Sequence, residues 1–525
     1  MSSESVQPQE LTPARQHGKL GVLLALFISF WLYSFFYAPM PGVNEPHYLS
    51  KAKFLWHAQW ADGDLFLESS NPHFVFYATV GLLTKWLSLQ QTAWIGRGLA
   101  VLLIALSWSK FIGQLVKDRW SSVAVAWLFL TLAAAGNFSG EWLVGGVESK
   151  VFAYAFVFWS FAYLGEQRMK PAAALMGAGI SFHAVVGVWA TVAVVLGFGL
   201  ACLFRKVHWR QFLKAKEVSI SIGLMVLCAL PGLVPAIGLF GQSSAKASWQ
   251  ATFLQVYYRL GHHLDPKQFP WSAYALYAGI LLLWLAFSRH ETDAKHRAWS
   301  YVVWGSMIIG LGGFAMGAFP KPTQLYQYSM QMTALKFYPF RLFDLLLPLA
   351  LSVSAIRYVE KLNASGALQT KQVITVWLVL AISFCGSLVS VSQRLHPSKM
   401  TAERRADWVD VCQWIEANTP EDSLFLTPPK ESWAFKWYAG RAEYACQKDC
   451  PQDATAIVEW NRRLQYIGQW ATENYAEGRF TTDGIVKLQA ESKVTHVLAR
   501  RLGPFDAKII YRNRTFKVYE LPKQR

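Results

Sequence analysis

A carboxylate and an imidazole follow the first long apolar stretch of the chain within a few residues. Residues 44–48 read Asn-Glu-Pro-His-Tyr, and Asp64 follows in the same loop. A carboxylate held beside a membrane can take a proton from a hydroxyl or bind a divalent cation, and a nearby imidazole can orient it. We predict Glu45, His47 and Asp64 as catalytic residues. The alternative is that such acids only solvate the loop or cap short helices.

The gap between two later apolar stretches carries a second set of ionisable residues. Residues 140–150 read Gly-Glu-Trp-Leu-Val-Gly-Gly-Val-Glu-Ser-Lys. Backbone amides at the glycine pair, together with Lys150, could hold a phosphate or a sugar. We predict Glu148 and Lys150 as substrate-binding residues. Anchoring of the loop at the membrane interface by Trp142 and Lys150 is the alternative interpretation.

Arg341 is the basic residue with the most informative surroundings. It enters an apolar run two residues after Pro339, which suits the first turn of a helix. Asp344 follows on the same helical face, where its carboxylate could orient the guanidinium to bind a phosphate through two hydrogen bonds. We predict Arg341, Asp344 and Arg97 as substrate-binding residues. The alternative is that an arginine paired with an acid holds two helices together.

Three histidines lie in gaps that the charge pattern places on one side of the membrane. His183 stands where one apolar stretch passes into the next, and His262 and His263 lie in a later gap. Neighbouring side chains point in different directions on a helix or strand, so His262 and His263 do not suit one metal ion. We predict all three as substrate-binding residues and name no metal ligands. Ordinary packing is the alternative for each.

The composition excludes an ordinary soluble globular protein. Of 525 residues, 53% are hydrophobic and 16% are charged, whereas soluble domains average about 25% charged residues. The net charge of +17 does not indicate a nucleic-acid partner, because the basic residues are spread over short gaps rather than clustered. They are typical of topology signals and of contacts with membrane lipid headgroups.

Apolar segments that cross, or nearly cross, about 30 Å of hydrocarbon recur along the chain. The segment Phe74–Leu89 is shorter and carries Lys85, so we predict that it lies at the interface as an amphipathic helix. The sequence predicts a polytopic α-helical membrane protein with about eleven spans, at residues 20–40, 93–115, 121–136, 151–166, 171–185, 187–204, 217–240, 272–288, 299–319, 338–357 and 371–391.

Charge sets the predicted topology, because lysine and arginine in short loops favour the cytoplasmic side. The most basic gap holds Arg205, Lys206, Arg210, Lys214 and Lys216. Placing it in the cytoplasm also places the N-terminus there, predicted to be disordered over 1–18. The transmembrane domain, 19–394, then has its first outer loop, 41–92, outside. The predicted location is the cytoplasmic (inner) membrane.

From residue 395 the pattern changes to that of a small α/β domain, 395–525, which the same charge pattern places outside the cytoplasm. We predict helices at 406–417 and 454–475, strands at 423–427 and 495–499, and a hairpin at 508–521. Cys446 and Cys450 are close enough in sequence for a disulfide in such a compartment. The sequence leaves open whether that bond forms.

The layout resembles the GT-C superfamily of integral membrane glycosyltransferases: one span, an outer loop that opens on an acidic motif, interfacial helices, further spans and a terminal soluble domain. More narrowly, the motifs are similar to those of an uncharacterised bacterial group, a domain of unknown function, within or near that superfamily. The resemblance covers most of the chain through Asn-Glu-Pro-His-Tyr-Leu (44–49), Gly-Val-Glu-Ser-Lys (146–150), Ser-Phe-His (181–183), His262-His263, Tyr-Pro-Phe-Arg (338–341) and Trp-Ile-Glu-Ala-Asn-Thr-Pro (414–420).

The resemblance implies an enzyme that moves a sugar, with inversion, from a polyprenyl-phosphate donor to a glycan, lipid or protein acceptor at the outer membrane face. Glu45 would be the general base. Lys150, Arg341 and either His183 or His262 would hold the donor phosphate. The chain lacks the Trp-Trp-Asp signature of oligosaccharyltransferases and has Asn-Glu where several members have two adjacent acids. These departures argue against protein N-glycosylation and leave a divalent cation as an open possibility.

Two other function classes stay open on the sequence. A transporter or flippase of a polyprenyl-linked or anionic substrate would place charges near the bilayer midplane and show matching halves. Here the ionisable residues lie near one face and no halves match. A non-catalytic carrier-binding protein could keep the same fold, since a fold does not determine a function. Loss of transfer in Glu45→Gln with intact folding would favour the enzyme over that last class.

Overall fold

The computed structural model describes residues 13–204, 215–241, 243–289, 291–324 and 329–522. A helix begins at Pro13, so the structure differs from the predicted disorder over residues 13–18. Four of the five cations that set the predicted topology, Arg205, Lys206, Arg210 and Lys214, lie outside the described residues.

Long helices make up most of the chain before residue 395. Each predicted apolar segment coincides with one of them, because long apolar runs satisfy their backbone hydrogen bonds internally as helices. These helices are Pro13–Tyr37, Leu89–Ile112, Ser121–Ala135, Ser149–Gly165, Met169–Phe182, Ala184–Leu203, Ala215–Ile237, Trp271–Ser288, Ala294–Ala318, Arg341–Ala364 and Thr370–Ser392.

Within the described ranges, 8 helices are long and apolar enough to cross a membrane. The helices Ser121–Ala135, Ser149–Gly165 and Met169–Phe182 have only 15, 17 and 14 residues. At 1.5 Å per residue they reach roughly 21 to 26 Å, less than the hydrocarbon thickness. Ser149–Gly165 is buried along most of its length among its neighbours. The prediction of a polytopic helical membrane protein is confirmed.

The helices Met169–Phe182 and Ala215–Ile237 pack backbone against backbone. A Cβ atom on Gly232 would lie 1.8 Å from the Ser181 carbonyl oxygen, and one on Gly177 would lie 2.2 Å from the Met225 carbonyl oxygen. Only glycine permits this approach, as is common between helices in membranes. The contact fixes the end of the first helix and therefore the position of His183, which follows it.

The first outer loop folds onto the outer ends of these helices through short elements. The predicted interfacial segment Phe74–Leu89 is divided between a helix and a 3-10 helix, each too short to cross the membrane. Among the described residues before 395, the short helices are Glu45–Trp56, Leu65–Glu68, Phe74–Ala78, Ala245–Phe253, Gly261–Leu264 and Ser329–Lys336, the 3-10 helices are Val80–Lys85 and Pro266–Gln268, and Leu254–Arg259 is a π-helix.

The C-terminal region is a small α/β domain, as predicted. Its elements are β1 (Leu424–Leu426), β2 (Ala442–Glu443), β5 (His496–Ala499), β6 (Lys508–Arg512), β7 (Lys517–Glu520), a separate hairpin of β3 (Tyr475–Ala476) and β4 (Arg479–Phe480), and the helices Ala402–Asn418, Phe435–Ala439, Ala454–Asn474 and Thr482–Ser492. A five-stranded sheet has the order β2-β1-β5-β7-β6, in which β1 pairs with β2 and β5 in parallel and β7 pairs with β5 and β6 antiparallel.

This domain is docked on the first and third outer segments of the membrane region. Its helix Ala454–Asn474 places Ala454 and Ile457 in one apolar cluster with Ala251. The backbone N–H of Ser70 donates to Asp453, 3.2 Å away. The docking brings the loop before that helix, residues 446–450, against the first outer loop.

Candidate functional site

Four charged side chains from two outer segments form one network. Glu141, Glu148 and Lys150 lie in and just after the loop that leads into the helix Ser149–Gly165, and Arg341 begins the helix Arg341–Ala364. Arg341 Nε lies 2.8 Å from Glu141 Oε2. Lys150 Nζ lies 3.5 Å from Glu141 Oε1 and 3.9 Å from Glu148 Oε2. The structure therefore brings together three predicted substrate-binding residues, Glu148, Lys150 and Arg341.

The pairing in this network is loose for buried charges. Charge-assisted hydrogen bonds are normally 2.7–2.9 Å long, and both contacts of Lys150 exceed that length. Glu141 Oε1 is buried without a hydrogen-bond partner among the described residues. Lys150 and Arg341 lie over the rings of Trp142 and Tyr338, at 3.9 Å and 4.2 Å from the centroids. Aromatic rings thus support the two cations. The long ion-pair distances of Lys150 leave hydrogen-bonding capacity for another anion.

Histidine side chains form the wall beside Arg341. Arg341 Nη1 lies 3.1 Å from His183 Nε2. A guanidinium only donates, so this contact uses Nε2 as the acceptor. The ring of His73 lies 4.9 Å from that of His183, and Tyr48 Oη lies 3.3 Å from His73 Nε2. Burial lowers the pKa of His73 to about 3, so a neutral, polar surface faces the guanidinium.

The C-terminal domain contributes Lys448 to the same site. Lys448 Nζ donates to Asn44 Oδ1 at 2.7 Å, and Asn44 Nδ2 donates to Glu148 Oε1 at 2.7 Å. Arg259 supports the loop by donating to the Lys448 carbonyl at 2.9 Å. Sequence reasoning missed Lys448 and Asn44. Asn44 adjoins the first acidic motif and could have been found there, whereas no local pattern marks Lys448.

Burial shifts the pKa values of Glu148 and Lys448 in opposite directions, so the two values lie closer together than in water. It raises the pKa of Glu148, against the opposing effect of Lys150. It lowers the pKa of Lys448 to about 8, with Arg259 acting in the same direction. A carboxylate with a raised pKa is a better proton acceptor at neutral pH than an ordinary one. Asn44 fixes the orientation of this carboxylate by donating to its Oε1.

Glu45 occupies a different, closed environment. Its side chain is 0% exposed, and both oxygens accept from Arg97, at 2.5 Å from Nε and 2.7 Å from Nη2. The backbone N–H groups of Gly42 and Val147 donate to the same carboxylate at 2.6 and 2.7 Å. Every lone-pair direction is in use. This geometry does not support the catalytic role predicted for Glu45 or the substrate-binding role predicted for Arg97.

Asp64 and His47, also predicted to be catalytic, lie in a third cluster at the domain boundary. Asp64 caps the helix Leu65–Glu68 and lies 3.0 Å from Lys436 Nζ. His47 Nδ1 lies 3.1 Å from Asp449, and the other oxygen of Asp449 lies 2.9 Å from Lys436. These contacts fasten the C-terminal domain to the first outer loop. Both side chains are thus engaged in docking, and this geometry does not support the catalytic roles predicted for them.

The same cluster contains the side chains that, among the described residues, most resemble a set of metal ligands. Glu443, Cys446 and Asp449 bring possible ligand atoms within 4.8 Å of one another. The ammonium of Lys436 already lies 3.1 Å from Glu443 and 2.9 Å from Asp449. It supplies the positive charge that these acids require, so a divalent cation does not fit without displacing it. Cys446 and Cys450 are free thiols in the structure.

Asp344 does not orient Arg341, contrary to the prediction. Its carboxylate accepts from the backbone N–H groups of Phe138 and Ser139 at 2.7 and 2.8 Å, and from the Ser139 hydroxyl at 2.8 Å. Asp344 lies three residues after Arg341 and therefore shares its helical face. Its carboxylate nevertheless bonds to the backbone N–H groups of the loop packed against it rather than to the guanidinium. Asp344 therefore positions the loop that carries Glu141.

The histidine pair is only partly at the site. The His263 ring contacts the Ser139 carbonyl through Nδ1, and burial lowers its pKa to about 3. His262 is exposed, and its ring is tilted by 43° against that of His263 with the ring centroids 4.0 Å apart. His263 thus supports the loop of Glu141, and no hydrogen bond or ion pair joins His262 to the network among the described residues.

Comparison with solved structures shows the fold. The chain is similar to ArnT from Cupriavidus metallidurans bound to undecaprenyl phosphate, with TM-score 0.52, 12% identity, and coverage of 96% of this chain and 98% of that one. The archaeal oligosaccharyltransferase AglB from Archaeoglobus fulgidus, in complex with an inhibitory peptide and a dolichol-phosphate, gives TM-score 0.47 and 12% identity over 93% and 70% of the chains. An Archaeoglobus fulgidus oligosaccharyltransferase in complex with zinc and sulfate gives TM-score 0.37 and 10% identity over 91% and 68%.

Sequence comparison adds little. The profile of a domain of unknown function, DUF6798, matches residues 406–467, and no curated protein sequence matches the chain. The similarity to the first structure extends over nearly the whole of both chains. The polytopic helical fold with a small C-terminal α/β domain, predicted from the sequence, is thereby confirmed.

Proposed function

We propose that the protein is a membrane glycosyltransferase that moves a sugar from a polyprenyl-phosphate donor to an acceptor hydroxyl. One observation carries the proposal: Lys150 and Arg341 lie with Glu141 and Glu148 in a loosely paired network on the outer loops. The fold is similar to that of a protein whose structure contains undecaprenyl phosphate. That similarity supports a lipid-linked phosphate as the anion that these cations receive.

The donor phosphate takes the place of the carboxylates around the two cations. Arg341 presents its guanidinium from the start of a helix, held by His183 through Nη1, and a planar fork suits a phosphate with two hydrogen bonds. Lys150 and Lys448 add point charges on the side of Glu148. Together these groups stabilise the negative charge that develops on the phosphate as it leaves.

Glu148 acts as the general base in this proposal, in place of Glu45. Its carboxylate takes the proton of the acceptor hydroxyl while that oxygen forms a bond to the anomeric carbon. The bond from the anomeric carbon to the phosphate oxygen breaks, and polyprenyl phosphate leaves with the bonding electrons. Attack from the face opposite the phosphate inverts the anomeric centre. No resident metal ion is needed, because Lys150 and Arg341 carry the positive charge.

The proposal places the reaction at the outer face of the cytoplasmic membrane. The N-terminus then lies in the cytoplasm, and the C-terminal domain, which supplies Lys448, lies outside. The proposed acceptor is a glycan, a lipid or a protein. The docking of residues 446–450 against Asn44 makes this domain part of the site rather than a separate module.

Mass spectrometry of the lipid that copurifies with the protein tests the proposal. We expect polyprenyl phosphate or its glycosylated form with the wild type, and its loss in Arg341→Gln and Lys150→Gln. Arg479→Gln, at an exposed arginine of the C-terminal domain, is the matched control and retains the lipid. Finding only bulk phospholipid with the wild type, or equal lipid in all variants, contradicts the proposal.

A further inference from the structure

The C-terminal domain contains a concave region away from the charged network. A cleft of about 200 Å³ lies over the ends of β1 and β5 and is lined in part by Leu426, Thr427, Val497 and Arg500. It continues into a wider hollow of about 360 Å³. The two share Ala471, Arg501 and Leu502, so they form one continuous depression, here called the sheet-end cleft.

The strand order explains why the cleft lies at this position. β1 and β5 are adjacent and parallel, so their carboxyl ends lie at the same edge of the sheet. The chain leaves β1 towards β2 on one side and leaves β5 towards β6 and β7 on the other. Where connections diverge in this way, a crevice opens outside the carboxyl ends of the strands, and this is where α/β folds bind ligands.

One unpaired cation faces the sheet-end cleft. Arg501 lines both of its parts and is exposed, and it has no ion-pair partner in the part of the chain that the structure describes. The neighbouring Arg500 is already paired with Glu431. The cleft thus offers one cationic donor to an anionic group.

The remaining surface of the sheet-end cleft is apolar. Leu426 and Val497 form its buried floor, and the half-exposed ring of Tyr475 stands in the wider part. An aromatic face and aliphatic floor suit the C–H surface of a sugar ring. Gly468 lies on the wall, and a Cβ added there would meet nothing within 4 Å. The open volume next to this helix is therefore room for a ligand.

We propose that the sheet-end cleft binds a saccharide that carries an anionic group. Arg501 would receive the phosphate or carboxylate, and the apolar floor with Tyr475 would contact the C–H face of the sugar ring. The cleft is separate from the charged network: Ala471 lies 17 residues beyond Ala454, which is in the docked cluster, or about 25 Å along the helix. The proposal does not depend on sugar transfer at that network.

Binding to the full-length protein in detergent tests this site with four probes: glucose 6-phosphate, glucuronic acid, glucose and inorganic phosphate. We expect an anionic sugar to bind roughly tenfold or more tightly than glucose or phosphate, the worth of one charge-assisted contact. Preference for the phosphorylated sugar or the acid identifies the source of the anionic group. Binding of neither, or equal binding of glucose, overturns the proposal.

Two variants show whether any binding occurs in the cleft. Arg501→Gln removes the cation and Gly468→Leu fills the open volume, and each should abolish the preference for the anionic sugar. Arg512→Gln, an exposed arginine on edge strand β6, and Gly468→Ala are the matched controls and should retain it. Equal weakening in Arg512→Gln, or unchanged binding in both cleft variants, overturns the proposal. Thermal unfolding of each variant confirms that the domain is folded.

Discussion

Two acid–arginine pairs near the outer face of the protein use the same chemical groups in opposite ways. Glu45 and Arg97 form two short hydrogen bonds, and backbone N–H groups occupy the rest of the carboxylate. Glu141 meets Arg341 through one oxygen, while its other oxygen lies 3.5 Å from Lys150 and makes no hydrogen bond among the described residues. The first pair is called complete here, because all hydrogen-bonding positions of its carboxylate are occupied. The second is called open, because one oxygen of its carboxylate makes no hydrogen bond among the described residues.

The comparison shows that saturation, rather than burial or residue type, separates a structural ion pair from a candidate site. Removing one partner from a complete buried pair leaves an uncompensated charge and destabilises the fold. In an open pair, folding has already removed the charges from water, and part of their hydrogen-bonding capacity is still unused. It can therefore receive a phosphate by exchanging one anion for another.

The largest expected effect is on catalysis at the open network. Glu148→Gln keeps the oxygen that accepts from Asn44 but removes the proton acceptor, so we expect sugar transfer to fall about 10²- to 10⁴-fold. The measurement is release of polyprenyl phosphate from native polyprenyl-linked sugars, followed by mass spectrometry. Carrier binding should stay near the wild-type level. Unchanged transfer would remove Glu148 from the mechanism.

Glu45→Gln should act on stability rather than chemistry. The amide cannot compensate Arg97, so we expect a loss of about 3–5 kcal/mol in the free energy of unfolding. Thermal unfolding in detergent measures it. Replacing both partners, Glu45→Gln with Arg97→Met, should recover part of the loss. A Glu45→Gln protein that is as stable as the wild type but inactive would restore Glu45 as the base and reverse the comparison.

Lys448→Gln should weaken carrier binding moderately, by about 1.4 kcal/mol or tenfold in affinity, since two other cations remain. Burial lowers the pKa of Lys448 from 10.5 to about 8, so wild-type affinity for the phosphate should fall as the pH rises above about 8. The variant should lack this fall. A titration of carrier affinity against pH measures both, and an identical pH profile would exclude Lys448 from the site.

A rise in pH should change the free energy of unfolding in the opposite direction to the phosphate affinity. Between about 8 and 10.5 the unfolded chain holds the Lys448 proton that the folded protein has released. Because stability rises with pH wherever the unfolded state binds more protons, Lys448 should add stability across that window. Lys448→Gln should flatten this contribution, which chemical denaturation at several pH values would detect.

The smallest expected effect is that of His262→Ala. This side chain is exposed and outside the network, so transfer should be unchanged and stability should shift by no more than about 0.5 kcal/mol. His183→Gln is the informative counterpart, because it disturbs the acceptor nitrogen beside Arg341. A large loss of transfer in His262→Ala would show that the loop of the histidine pair moves onto the substrate.

Local patterns were sufficient for the architecture. Apolar runs located the long helices, because a run of that length and composition buries its backbone polar groups only as a helix. Period-two patterns likewise located the hairpin of β6 and β7. The same reading selected Glu148 and Lys150 in a gap between predicted spans, and His183 and Arg341 near the ends of predicted spans, and the structure brings these side chains together.

Only the tertiary structure decided which charges are free. Arg97 is 52 residues from Glu45, and Lys448 is 404 residues from Asn44, yet each is bonded to its partner. Asp344 faces the loop at Ser139 rather than Arg341. Helix and strand patterns are set by neighbours along the chain, whereas the partner of a buried charge is set by the packing of distant elements. The sequence determined which segments carry the ionisable groups, and the packing determined which of these groups are already satisfied.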